Sequence, residues 1–322
     1  MKKINNITTE SAKSIFSVDK VVAGIDELKN YNWPKFTEED DIDYFVEKIH
    51  KILTSKLGPF PNLIRSISQE KIDFPIFRAR EVEQVKNNQL FAEFSNPPIP
   101  FTTMGRCNFP KHPVFYASNS PLVAMLEVLR TSDFSNQKIY LSSWSIIPNE
   151  DNFYFETFLK NGLTKESLYH GFNKDLKQNI DKTFEGLITD EQVLGTIEYL
   201  KFLDQQFISD NNYSLSAALA HRRLYVKGNF GSDIIMYPSV QSKGNEVNMA
   251  INPNFVMNNM KLNRIYVVSL QNYNLTTKQY SLTFHQYGQV SKNAILWSND
   301  MKDENFKEAA AADFGKFELT EI

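Results

Sequence analysis

From Asp41 to Leu57 the apolar residues Ile42, Phe45, Val46, Ile49, Ile52, Leu53 and Leu57 recur at intervals of three and four, the period of an amphipathic helix. On that pattern the first 70 residues form a helical, polar-rich region. At "PIFRAR", Pro75 to Arg80, the texture changes to short aromatic and β-branched runs separated by Pro, Gly and Asn, which predicts strands. A boundary is therefore expected near residue 70. "PVFYAS", Pro113 to Ser118, reads as a strand. Ser120 and Pro121 then mark a helix start, a hydroxyl N-cap followed by proline where a missing N–H costs nothing. The helix that follows, "PLVAMLEVLR", is apolar on nearly every side, as a helix buried all round would be. "KIYLSSWSII", Lys138 to Ile147, is a further strand.

Between about Phe153 and Val226, "DEQVLGTIEYLKFLDQQF" and "SLSAALAHRRLYV" have helical spacing and length, so this block is expected to be a helical insertion. Strand-like runs follow: "DIIMYPSV" and "VNMAINP", joined by the turn-rich "QSKGNE", then "NRIYVVSLQNY" and "KQYSLTFHQYGQVS" as a hairpin, and "AILWS". "EAAAADF", Glu308 to Phe314, is a short helix candidate. The expected fold is α+β, with a helical region at 1–70 and a mixed-sheet domain at 71–322 that carries the insertion at about 153–226.

With 322 residues, 42% hydrophobic, the chain can bury a substantial core. Its 35 Lys and Arg against 38 Asp and Glu leave a net charge of -3, without the basic excess of a phosphate-tracking protein, so nucleic acid is not an expected partner. One cysteine, Cys107, excludes an intrachain disulfide and a multi-cysteine metal site. The opening "MKKINNITTESAKS" lacks the apolar core of a secretory signal, and no apolar run has membrane-spanning length; the cytoplasm is the expected compartment. His50, His112, His170, His221 and His285 show no ligand-like pairing, so no metal is expected. The GxGxxG, P-loop, GxSxG and HExxH signatures are absent.

What remains is a set of polar residues in apolar settings. Glu127 lies in the apolar helix, where an ionised carboxylate costs several kcal/mol, in order of magnitude, unless it is paired or faces a cleft. Arg106, Arg78 and Arg80 are the candidate partners. Arg78 and Arg80 flank Ala79, so on a strand they share one face and form either a cationic wall or a solvated edge. Phe115 and Tyr116 point to opposite faces, which leaves one of them to line the far side. Cys107 reads as a small buried hydrophobe before it reads as a nucleophile.

Taken in order, Phe77–Arg78, "GRCN" (Gly105 to Asn108), "FYAS", "LVAMLEV", and late on "YPSV" followed by "GNEVNMAINP" resemble the RES-domain family over roughly residues 75 to 255. Two departures stand out. Cys107 follows Gly-Arg where the family usually has an aromatic, and the interval from Glu127 to Ser239 is longer than in compact members.

The resemblance implies a fold related to the ADP-ribosyltransferase toxins, and cleavage of the bond between nicotinamide and ribose in NAD. It implies Glu127, Arg106 and Tyr116 as catalytic residues and Arg78 or Arg80, with Ser239, as NAD-binding residues. NAD would be the substrate, with no resident cofactor, and phosphate a co-substrate in some members. A cognate antitoxin would be the protein partner of such an intracellular bacterial toxin. Two other readings stay open on the same scaffold: transfer of ADP-ribose to a macromolecule, and a catalytically idle binding module whose N-terminal helices face a partner.

Overall fold

A computed structural model describes residues 12–60, 64–71, 75–129, 134, 137–161, 163–165, 167, 169–170, 176–184, 186–226, 231–292 and 294–315. Arg130, at the end of the stretch read as the apolar helix, and the opening residues 1–11 lie outside them.

In chain order the elements are α1 (Val18–Lys29), α2 (Ile42–Leu57), β1 (Arg65–Ser68), β2 (Ile76–Glu81), β3 (Phe115–Ser118), α3 (Pro121–Val128), β4 (Ile139–Ile146) and β5 (Asn152–Thr157). There follow α4 (Leu176–Thr183), α5 (Asp190–Ser209), α6 (Ser214–Leu224), β6 (Ile234–Pro238), β7 (Val247–Ile251), α7 (Pro253–Asn259), β8 (Met260–Asn274), β9 (Gln279–Ser291), β10 (Ala294–Ser298) and α8 (Glu304–Phe314). The fold is mixed α+β. Among the described residues ten strands form one sheet in the order β1-β5-β6-β7-β3-β2-β4-β8-β9-β10, in which β5 and β6 run parallel and the other neighbours antiparallel.

Two stretches depart from the sequence reading. Arg65–Ser68, inside the region read as helical, is a strand: it pairs with β5 at the sheet edge, and Ile67 packs onto the core there. The block read as a helical insertion from about 153 begins with β5, because Phe153 and Phe155 alternate into one apolar face as β-prone aromatics do. Its helices are α4, α5 and α6.

Strand alternation divides the core in two at the centre of the sheet. Ile234 and Met236 of β6, Val247, Met249 and Ile251 of β7 and Phe115 of β3 pack on one face, with Trp144 and Phe255. Ile235, Tyr237 and Ala250 face the other way, into a cluster built by α1, α2, α5 and α6. There Val21, Leu28, Phe45, Ile49 and Leu53 meet Leu203, Phe207, Leu215 and Leu219, so the N-terminal helices and the insertion share one core. Gly195 of α5 permits that approach, since a Cβ there would lie 2.6 Å from the Phe16 carbonyl oxygen. The N-terminal capping box of α5 strengthens it: Gln192, paired with Thr189, also donates to the carbonyls of Ala12 and Ile15 at 3.2 and 2.8 Å.

The placement that matters most for a cleft is that of β2 and β3. They pair at one position, Phe77 with Ser118. The Tyr116 carbonyl on β3 is satisfied instead by a side chain, Arg78 Nη1, at 2.8 Å.

Candidate active site

α3 starts as its sequence predicts. Ser120 Oγ accepts from the Val123 amide, Pro121 occupies the first turn, and Leu122 to Leu126 are buried. The last turn places Glu127, half-buried, in the lining of a cavity of about 500 Å³. Its Oε1 accepts two hydrogen bonds, from Ser239 Oγ at 2.8 Å and from Asn248 Nδ2 at 2.7 Å. Ser239 is fully buried at the end of β6. Its backbone amide donates to the Glu246 carbonyl, and its Oγ accepts from the Ser242 amide, so the 239–246 turn fixes the hydroxyl. That turn is tied down by Glu246, which accepts from Asn119 Nδ2 and pairs with Lys278, both at 2.7 Å.

Arg106 sits in a loop whose geometry explains the other residues of "GRCN". Gly105 and Asn108 exchange backbone hydrogen bonds, at 3.0 and 3.3 Å, and Asn108 Nδ2 donates to the carbonyls of Thr103 and Phe109. The Tyr116 hydroxyl closes the loop: it accepts from the Cys107 amide at 2.7 Å and donates to Asn108 Oδ1 at 2.8 Å. Glycine is required beneath this clasp, because a Cβ at 105 would stand 2.4 Å from Asn108 Oδ1 and 2.8 Å from the phenolic oxygen. Burial pushes the Tyr116 phenol well above its ordinary range, so it keeps the proton it donates. The ring of Tyr116 lines the cavity while Phe115 is buried on the opposite face. Cys107, under the loop, is buried, and burial pushes its thiol up, away from thiolate chemistry.

The two arginines of β2 separate. Arg78 lines the cavity, bonded to the Tyr116 carbonyl, with its guanidinium carbon 4.9 Å from the Phe115 ring centre. Its buried Nε has no partner among the described residues, and burial, with Arg80 beside it, pulls the guanidinium down to about 9, still cationic at neutral pH. Arg80 does not line this cavity. It donates to the carbonyls of Gln84, at 3.0 Å, and Glu93, and it lines an adjoining groove of about 490 Å³. Cavity and groove share Arg78, Tyr116 and Glu127.

Of the six residues singled out in the sequence, Arg78, Arg106, Tyr116 and Glu127 line one cavity, and Ser239 contacts it through Glu127. Asn248 and Tyr213 were missed. Asn248 had a signal: an amide in the fully buried run "VNMAI" must find partners, as Glu127 must in its helix. Tyr213 had none. It precedes α6 in a left-handed conformation (φ 59°, ψ 0°) that the sequence does not announce for tyrosine. Among the described residues no three His, Cys, Asp or Glu side chains gather as a metal site, and no helix is long and apolar enough to cross a membrane.

The RES domain family model matches residues 75–149. No curated protein and no solved structure matches the chain. The matched segment holds Arg78, Arg106, Tyr116 and Glu127 and ends well before residue 255, so Ser239 and Asn248 reach Glu127 through the pairing of β7 with β3 and β6.

Proposed function

We propose that the chain consumes NAD by breaking the bond between nicotinamide and ribose, as a glycohydrolase or phosphorylase, and that it acts as a toxin inside bacterial cells. The RES domain matched at 75–149 belongs to a family of generally NAD-degrading toxin domains. The observation that carries the reading is the convergence on Glu127. A carboxylate that lines a cavity accepts from two buried donors at one oxygen, and the guanidiniums of Arg78 and Arg106 line the same cavity.

The chemistry suits this set. As the C1′–N bond breaks, its electron pair leaves with neutral nicotinamide, positive charge grows on the ribose, and no strong acid is needed. A fixed carboxylate stabilises that oxocarbenium-like state and accepts hydrogen bonds from ribose hydroxyls, as in glycosidases. Ser239 and Asn248 hold it in place. The dinucleotide brings a diphosphate, for which planar guanidiniums are the better match. Arg78 and Arg106, which both line the cavity, supply them. The Tyr116 ring packs the flat end of the substrate while its hydroxyl keeps the Arg106 loop closed. The cavity, about 500 Å³, lies within the range of small-molecule sites.

A second reading, ADP-ribose transfer to a macromolecule, draws on the adjoining groove, which opens beside Glu127 and offers room for an acceptor. A protein antitoxin that covers the cavity is the partner the toxin reading implies. The test is NAD loss by the purified chain with and without phosphate, resolving nicotinamide, ADP-ribose and ADP-ribose-1″-phosphate, beside Glu127→Gln. Loss that disappears in the variant supports the reading, and the product names the acceptor. An unchanged rate in Glu127→Gln refutes the role of the carboxylate.

A further inference from the structure

The junction between α5 and α6 lies outside the matched domain and yet forms part of the cavity wall. Arg106 Nη1 donates to the Phe207 carbonyl, in the last turn of α5, where helix carbonyls lack internal partners and attract cations. The guanidinium carbon of Arg106 lies 5.0 Å from the centre of the Tyr213 ring. Tyr213 itself is held in left-handed backbone geometry, which an L-residue with a bulky side chain rarely adopts and which persists only when the surroundings enforce it. Asp210 does the enforcing. Its Oδ2 accepts from the Leu215 and Ser216 amides at 3.0 and 2.9 Å and from Ser216 Oγ at 3.1 Å, while Oδ1 accepts from the Asn212 amide at 3.1 Å. A four-bond carboxylate staple thus fixes a tight turn whose product is one aromatic ring set beside one arginine.

We propose that Tyr213 is a positioning residue: it clamps the Arg106 guanidinium against the α5 terminus so that the remaining N–H donors serve the diphosphate of the substrate. In linking this arginine to the diphosphate, the proposal rests on the NAD reading above. The insertion is then a recognition element, because it supplies both contacts that orient Arg106. An aromatic face beside a partly desolvated guanidinium restricts its motion, and planar donors held in advance lose less on binding an anion.

The test uses the full chain and three proteins: wild type, Tyr213→Phe and Tyr213→Gly. Glycine takes the left-handed conformation without strain, so this variant removes the ring and keeps the turn. Calorimetry with inorganic pyrophosphate reads the anion site directly, and steady-state NAD cleavage separates KM from kcat. The expected result is about tenfold weaker pyrophosphate binding in Tyr213→Gly, a similar rise in KM, kcat within about twofold, and near wild-type behaviour in Tyr213→Phe. Pyrophosphate affinity that is unchanged in Tyr213→Gly, equally lost in Tyr213→Phe, or absent from wild type overturns the proposal, whatever the NAD result. Pyrophosphate binding that depends on the ring in a protein that does not cleave NAD leaves this inference standing and refutes the proposed activity.

Discussion

Removing the donors to Glu127 one at a time and then together tests how the carboxylate is held. Ser239 Oγ and Asn248 Nδ2 both reach Oε1, at 2.8 and 2.7 Å, and both residues are buried, so water does not readily replace either donor. A hydrogen bond to a charged group contributes about 1.5–3 kcal/mol. If that orientation is needed in the transition state, Ser239→Ala and Asn248→Ala each lower kcat/KM by about ten- to a hundredfold, with kcat taking most of the loss. Because the donors share one acceptor oxygen, they act as a unit: once one is gone the carboxylate turns, and deletion of the second costs less. The double variant is therefore expected to fall short of the product of the two losses by at least about tenfold. The assay is NAD cleavage at saturating and limiting substrate, with circular dichroism to confirm that each variant folds. Full activity in Ser239→Ala, or losses that multiply without coupling, refutes the account.

Four further outcomes are expected. Gly105→Ala drives a methyl into the Tyr116–Asn108 clasp and lowers unfolding free energy by about 1–3 kcal/mol in urea titrations; an unchanged midpoint would show that the loop is not tightly built. Arg78→Lys keeps the charge but loses the planar fork that bonds the Tyr116 carbonyl, so KM for NAD should rise about tenfold, whereas Arg80→Lys, outside the cavity, should leave it within about twofold. Buried Asp204 titrates up from 3.8 to about 7, so the folded state holds its proton after the unfolded chain has released it, and this group's contribution to stability declines as pH rises through that window. The stability of Asp204→Asn relative to wild type should therefore grow from about pH 4 to about pH 7, and a flat difference in melting temperature would contradict this. Cys107 should resist iodoacetamide in the native protein and react on unfolding, as read by mass spectrometry; rapid native labelling would contradict its burial.

The parts legible in the sequence are those fixed by short-range physics. Ser120 and Pro121 announce α3, the spacing from Ile42 to Leu57 announces α2, and the alternation of two long runs announces the β8–β9 hairpin. Glu127 was conspicuous because its helix is otherwise apolar. Arg65–Ser68 was misread because a four-residue edge strand owes its existence to β5, which lies far along the chain. The choice between Arg78 and Arg80 was open for a similar reason, since both share a face and only the carbonyls of Gln84 and Glu93 draw Arg80 away. Tyr213 depends on a turn enforced by Asp210, and nothing local in tyrosine predicts it.

The central place of β3 in the sheet has a temporal meaning. Its neighbour β7, and the two donors that orient Glu127, are made late: Ser239 and Asn248 follow the glutamate by 112 and 121 residues. At about 5–20 residues per second, roughly 6–24 s of translation separate the carboxylate from its supports. Throughout that interval the nascent chain carries Glu127 without the pair that orients it. Under the reading proposed above, NAD cleavage would begin only after β7 has been made and has paired with β3, so the site would stay incomplete while this part of its own chain is still being translated.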